Sequence, residues 1–174
     1  SWNAVAAVSG PLAQNLLGRI AVGQTSGDGY IRNVYLASED TNQIDEFSLR
    51  GKLRWLGGNG TFAELTAFYV DIDNGYDAFS LDNSRHTLSD EPGHDQQNAW
   101  SIAGKSYWEV NPGLALETII SWSDADTFYS YDEDWTNPDI CAGFEYCYPF
   151  ANSDEQQRDR NSISLDSHLM SMDG

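Results

Sequence analysis

The chain has 174 residues and carries 27 Asp and Glu against 9 Lys and Arg, a formal net charge of -18 at pH 7. That balance excludes a nucleic-acid partner, whose phosphates need a basic surface, and an aromatic content of 13% excludes a disordered chain. No apolar run approaches the ~18 residues of a membrane-spanning helix; a membrane barrel stays open, because its strands alternate and look soluble on average.

Trp2 to Val8 alternates, with Trp2, Ala4, Ala6 and Val8 on one face, the period-two signature of a strand. Gly10 to Asn15 reads as a short turn. Leu16 to Val22 resumes the pattern, with Leu16, Ile20 and Val22 opposite Arg19, and could extend to Tyr30. A polar link from about Val34 to Glu46 leads into a hairpin running from Phe47 to Phe79. In its first arm Phe47, Leu49, Gly51, Leu53 and Trp55 alternate with Ser48, Arg50, Lys52 and Arg54. Asn59-Gly60 supplies the tight turn, since both residues tolerate positive φ, and that turn also accounts for the sequon-like Asn59-Gly60-Thr61. No helix follows the Gly-rich break, so it is no phosphate cradle.

Leu81 to Asn98 is a long polar loop. Ala99 to Val110 is a strand with Trp100, Ile102, Gly104 and Trp108 on one face, and Asn111-Pro112-Gly113 is a turn. Leu114 to Trp122 places Leu114, Leu116, Thr118, Ile120 and Trp122 opposite Glu117 and Ser121. The longest loop runs from about Asp124 to Arg160. Within it, Cys141 and Cys147 are expected to form a disulfide in an extracytoplasmic setting; two thiolates without nearby His leave a metal shell half empty. Ile163, Leu165 and Leu169 mark a final strand, with Ser164, Asp166 and His168 on its other face.

Connections alternate between short (after Gly10, Gly57 and Asn111) and long (after Asn33, Ser80 and Ser123), the habit of outer-membrane barrels. Phe47 and Trp55, Trp100 and Trp108, and Leu114 and Trp122 are each eight residues apart on an apolar face. Eight residues span ~27 Å along a strand, or ~21 Å of height at a ~40° tilt, close to the ~25 Å apolar band of such barrels. The fold expected is all-β: an antiparallel transmembrane β-barrel segment of about seven strands, with short periplasmic turns and long extracellular loops. An odd count does not close a small barrel, and Ser1-Trp2 and Met170-Ser171-Met172 both read as mid-strand. The expectation is therefore an arc of a larger barrel, an internal piece of a longer protein.

Val8-Ser9-Gly10-Pro11-Leu12, Asp28-Gly29-Tyr30, Glu46 to Trp55, Asp73-Asn74-Gly75-Tyr76-Asp77-Ala78-Phe79-Ser80-Leu81-Asp82-Asn83 and Leu88 to Asp95 together resemble the early barrel strands of TonB-dependent outer-membrane receptors. The resemblance covers nearly the whole chain. It implies a 22-stranded barrel in the outer membrane of a Gram-negative bacterium, closed by an N-terminal plug that lies outside this chain. It also implies uptake of a scarce nutrient such as a ferric siderophore. The partners implied are outer-membrane lipid and lipopolysaccharide, the TonB complex and plug, and a small nutrient ligand. No cofactor and no catalytic residue is implied. Two other readings stay open: a secreted β-sandwich that binds carbohydrate, with the apolar face buried under a second sheet, and a passive porin.

Candidate ligand contacts follow from the polar faces. Arg19, Arg50, Lys52, Arg54 and Lys105 share them with Glu64, Glu109, Glu117 and Asp166, and either pair across strands in a solvated lumen or guide an anionic ligand. Asp71 to Asp77, with Asp82 following, has a flavour of a calcium loop, but its Gly is at position five rather than six and its flanks are strand. It reads instead as a rim where Asp73, Tyr76, Asp77 and Phe79 meet ligand. His86, Asp90, Glu91, His94 and Asp95 share a loop, as do Asp132, Glu133, Asp134, Asp139 and Glu145; either set could meet cations or serve only to keep its loop solvated. No metal site is assigned.

Overall fold

The computed structural model describes residues 1–142, 145, 147, 148 and 150–171; Met172 lies outside them. Seven strands form one antiparallel sheet: β1 (Trp2–Ala13), β2 (Leu16–Gly27), β4 (Ile44–Leu56), β5 (Phe62–Tyr76), β7 (Gly93–Asn111), β8 (Leu114–Asp132) and β9 (Ser153–Ser171). Each pairs only with its neighbours in the order β1-β2-β4-β5-β7-β8-β9, and the sheet does not close on itself. Two-residue strands β3 (Arg32–Asn33) and β6 (His86–Thr87) make a separate parallel pair within the long connections. A 3-10 turn spans Pro138–Cys141, and the described residues contain no α-helix.

The short turns have local causes. Asn59 and Gly60 both adopt positive φ, 54° and 76°, the backbone that a tight hairpin demands. The Asn111 side chain accepts from Gly113 N–H at 2.9 Å, an Asx turn joining β7 to β8. At the first turn β1 runs on to Ala13 through a register shift between Pro11 and Ala13, so the turn is shorter than Gly10 to Asn15. Pro11 is tolerated because β1 is an edge of this sheet.

Directly opposed residues share a face, so the register sorts the side chains. Trp55 opposes Ala63, Leu53 opposes Leu65, Gly51 opposes Ile20 and Ala67, and Leu49 opposes Val22 and Tyr69. Leu65 then opposes Gly104, Ala67 opposes Ile102, and Trp108 opposes Leu116, which opposes Leu169. One apolar face thus runs unbroken across all seven strands. Nothing covers it. Trp55, Trp108, Leu53, Ile102, Ile120 and Ile163 are exposed, Ile163 to 75%, and the described residues contain no second layer. Ile31 and Ala115 are the buried hydrophobics among them, so the two-sheet sandwich is not what this chain builds.

Most strands reach further towards the long loops than alternation suggests. β4 begins at Ile44 rather than Phe47, β7 begins at Gly93 rather than Ala99, β8 runs to Asp132 rather than Trp122, and β9 begins at Ser153 rather than Ile163, while β2 ends at Gly27, inside the extension to Tyr30 that the sequence allows. The reason is visible in the added residues: Asp95-Gln96-Gln97-Asn98 and Asp124-Ala125-Asp126-Thr127 are polar on both faces. The backbone ladder continues there after the hydrophobic period has ended. β5 goes the other way, stopping at Tyr76 short of Phe79.

Two glycines make a test of this close pairing. A Cβ at Gly93 would lie 2.0 Å from the Ser130 carbonyl oxygen, whereas one at Gly10 would meet nothing within 4 Å. Gly93→Ala should lower stability by about 1–3 kcal/mol through overpacking against backbone, and Gly10→Ala should stay within about 0.5 kcal/mol. Chemical unfolding of the two variants in detergent micelles, followed by circular dichroism, measures the difference.

Candidate functional site

The face opposite the apolar one carries the charges. Lys52 Nζ lies 2.8 Å from Glu64 Oε1, and Lys105 Nζ lies 2.8 Å from Glu117 Oε2. Register places Glu64 opposite Arg54 on one side and Lys105 on the other, so opposite charges alternate across β4, β5, β7 and β8. Half-exposed pairs of this kind contribute about 0–1 kcal/mol each; their effect is to neutralise a polar wall. The Arg54 guanidinium sits 4.5 Å from the Phe62 ring centroid, a cation–π contact, and Phe62 stacks on Tyr107 at 5.9 Å. Among the described residues Arg19 and Arg50 have no ion-pair partner. Of the five expected cations, two are paired, one lies on an aromatic ring and two are left available.

The long connections do not hang separately. Arg32 N–H donates to the Arg85 carbonyl at 2.9 Å and Val34 N–H to that of Thr87 at 3.0 Å. Asp90 N–H donates to the Thr136 carbonyl at 3.0 Å, and Asn137 Nδ2 to that of Leu88 at 2.8 Å. At the centre is Asp77, 4% exposed. Its Oδ2 accepts from Asn33 Nδ2 at 2.9 Å, Thr41 Oγ1 at 2.7 Å and Thr87 Oγ1 at 2.7 Å. Asn33 also donates to the Ser89 carbonyl at 2.8 Å. Asn33, Thr87, Ser89, Asp132 and Asn137 are buried with it. The compact part of this molecule is a polar core of loops.

Beside it stands an aromatic cluster on the charged face of the sheet. Tyr76 packs against Tyr129 (5.0 Å) and Phe79 (5.9 Å), while Phe79 stacks on Trp135 at 5.0 Å and approaches Tyr131 at 6.4 Å. Burial, with nearby Tyr76 and Asp95, pushes the Tyr129 hydroxyl well up; burial, with Asp154 and Glu133, raises that of Tyr131. Both therefore keep their protons and remain hydrogen-bond donors.

Of the rim residues expected from sequence, Tyr76 and Phe79 meet in this cluster, and Asp77 lies behind it as a buried clamp instead of at an open edge. Asp73 lies apart. It is on the face of Tyr69 and accepts from Gln96 Nε2 at 2.6 Å. Cys141 and Cys147 form a disulfide. The described residues contain no group of three or more His, Cys, Asp or Glu arranged for a metal. Tyr129, Tyr131, Trp135, Asn33, Thr87 and Ser89 were not singled out from sequence. The clamp partners carry no local signal, since Asn33 and Asp77 are 44 residues apart.

No protein-family model and no curated protein matches the chain. Among solved structures, the ferric-catecholate import receptor Fiu from E. coli K12, in its open form, superposes on 97% of this chain with a TM-score of 0.66 and 12% sequence identity. This chain has the fold of part of that receptor. The matched region is 29% of the Fiu chain, so the chain spans under a third of that receptor's length. At this identity the likeness concerns the fold alone, an antiparallel arc of strands with brief turns at one end and long connections at the other.

The clamp yields a prediction. Asp77→Ala strands three donors, two of them on fully buried residues, at about 1–3 kcal/mol each. Cleavage by a nonspecific protease within residues 28–43 and 77–92 should become at least tenfold faster while the strands stay protected. Asp82→Ala is the control: Asp82 is exposed and bonded only locally, its carboxyl held at about 2 chiefly by the Ser80 hydroxyl, with Ser84 assisting.

Proposed function

We propose that this chain is an arc of a TonB-dependent outer-membrane receptor barrel that takes up a scarce nutrient, with an iron complex such as a ferric siderophore as the ligand class. The observation that carries the reading is the uncovered apolar face bounded by two aromatic rows. Trp55 and Trp108 meet at 6.3 Å near the short turns, while Phe47, Tyr69 and Trp100 form a chain at 6.2 and 4.2 Å towards the long loops. The rows are eight residues apart along β4 and β7, a height that suits a bilayer. Hydrocarbon is the solvent in which such a face is stable, and aromatic rings suit its two interfaces.

On this reading the charged face lines an aqueous interior, and the long loops face outside the cell. Of the five expected wall cations, Arg19 and Arg50 are the two left to attract an anionic ligand, and the Tyr76, Phe79, Tyr129, Tyr131 and Trp135 cluster is the rim it meets first. The fold shared with a ferric-catecholate import receptor supports the same ligand class. Transport is the role assigned, and no residue is given a catalytic one.

Energised uptake is the deciding measurement. Cells lacking the gene should lose accumulation of at least one radiolabelled iron complex under iron limitation, and a protonophore should abolish uptake in the parent. Uptake that survives the protonophore would make the barrel a passive porin. Recovery of the protein in the soluble secreted fraction would sink the membrane reading altogether.

Membrane placement has its own test. Leu65, opposite Leu53 and Gly104 on the apolar face, lies near mid-height between the aromatic rows. Leu65→Arg should destabilise the barrel by about 2–4 kcal/mol in lipid. Thr66→Arg, one residue along and on the charged face, should be tolerated. Equilibrium unfolding from lipid vesicles compares the two.

A further inference from the structure

Three connections converge on one small cavity. Asp77 follows β5, Ser89 precedes β7 and Asp132 ends β8, and all three line a cavity of about 10 Å³ together with Gly93 and the rings of Tyr76, Phe79 and Trp135. That volume admits a single water-sized sphere. Asp132 is 6% exposed and Ser89 is 3% exposed. Asp132 Oδ1 accepts from the backbone N–H groups of Asp134 and Trp135, both at 3.0 Å. Its Oδ2 meets no partner in full hydrogen-bond geometry among the described residues, and neither does Ser89 Oγ; the Ser89 hydroxyl lies near enough to Asp132 to draw its carboxyl down, against the larger upward push of burial. No Lys or Arg lines the cavity. Two carboxylates therefore share a desolvated space with no counter-charge, an arrangement that costs free energy unless a cation joins it.

We infer that this cavity binds one hard cation of the calcium class, held by Asp132 Oδ2, Ser89 Oγ and the Asp77 carboxylate. Every candidate ligand is a hard oxygen, which suits calcium and excludes soft, thiolate-seeking metals. Two carboxylates are fewer than the strongest calcium sites use, so affinity falls at the weak end of the range, about 10⁻⁴–10⁻³ M. The cation ties the end of β8 to the connections on either side of β6, and so stabilises the polar core by binding the ordered form.

Trp135 provides the probe, because its ring lines the cavity. In the intact protein in detergent micelles, terbium excited through tryptophan should give saturable emission that millimolar calcium displaces. Asp132→Asn keeps an acceptor for the two amides but removes the charge, and should weaken terbium binding about tenfold or more; Ser89→Ala should weaken it less. Calcium should raise the melting temperature of the parent and leave that of Asp132→Asn unchanged, with protease resistance of the strands showing that the variant is folded. Absent emission, or emission equal in Asp132→Asn, would overturn the site, the latter because it would place the ion at exposed carboxylates. A parent whose melting ignores calcium would overturn it as well, leaving a resident water or proton in the cavity.

Discussion

A single sheet with a continuous uncovered apolar face is stable only where that face avoids water. Within the described residues no element packs over Trp55, Ile102, Trp108 or Ile163, so ordinary core burial contributes almost nothing to this chain. The ladder between strands supplies the backbone hydrogen bonds, and the environment has to supply the rest. Other features follow from this constraint: aromatic rows set at two heights, charges gathered on the opposite face, and turns kept brief at one end.

The loops solve a different problem. Being polar, they cannot collapse by the hydrophobic effect, yet they are the compact part of the molecule. They achieve this through directed bonds: three donors on one oxygen of Asp77, the β3–β6 pair, and Asn137 closing on the Leu88 carbonyl. A core of this kind has little tolerance, because each lost partner leaves a buried group unsatisfied. It holds Tyr76, Phe79 and Trp135 in a fixed cluster next to the charged wall. A floppy loop could not present such a surface to a ligand without a large ordering cost.

The two faces of the sheet thus divide the work. The paired charges Lys52–Glu64 and Lys105–Glu117 keep the wall wet and close to neutral, so the net negative charge concentrates towards the loops. Arg19 and Arg50, between the turns and those loops, have no ion-pair partner among the described residues.

Much of this was legible in the residue order. Phe47 to Trp55 announces its two faces, Asn59-Gly60 its turn, and the recurrence of large apolar residues at eight-residue steps the height of the apolar band, because each depends on neighbours within a few positions. The outer halves of β7, β8 and β9 were not legible, since water on both faces erases the alternation while the ladder persists. Asp77 looked like an open rim residue for a related reason: an isolated Asp in a polar loop reads the same whether solvated or buried. Only the folded chain brings Asn33, Thr41 and Thr87 to its side and places Ser89 and Asp132 around a common cavity. Sequence by itself determined which side of each ribbon is apolar, because solvent acts on every second residue. The tertiary structure decided which distant polar groups satisfy one another, because that depends on how the loops meet.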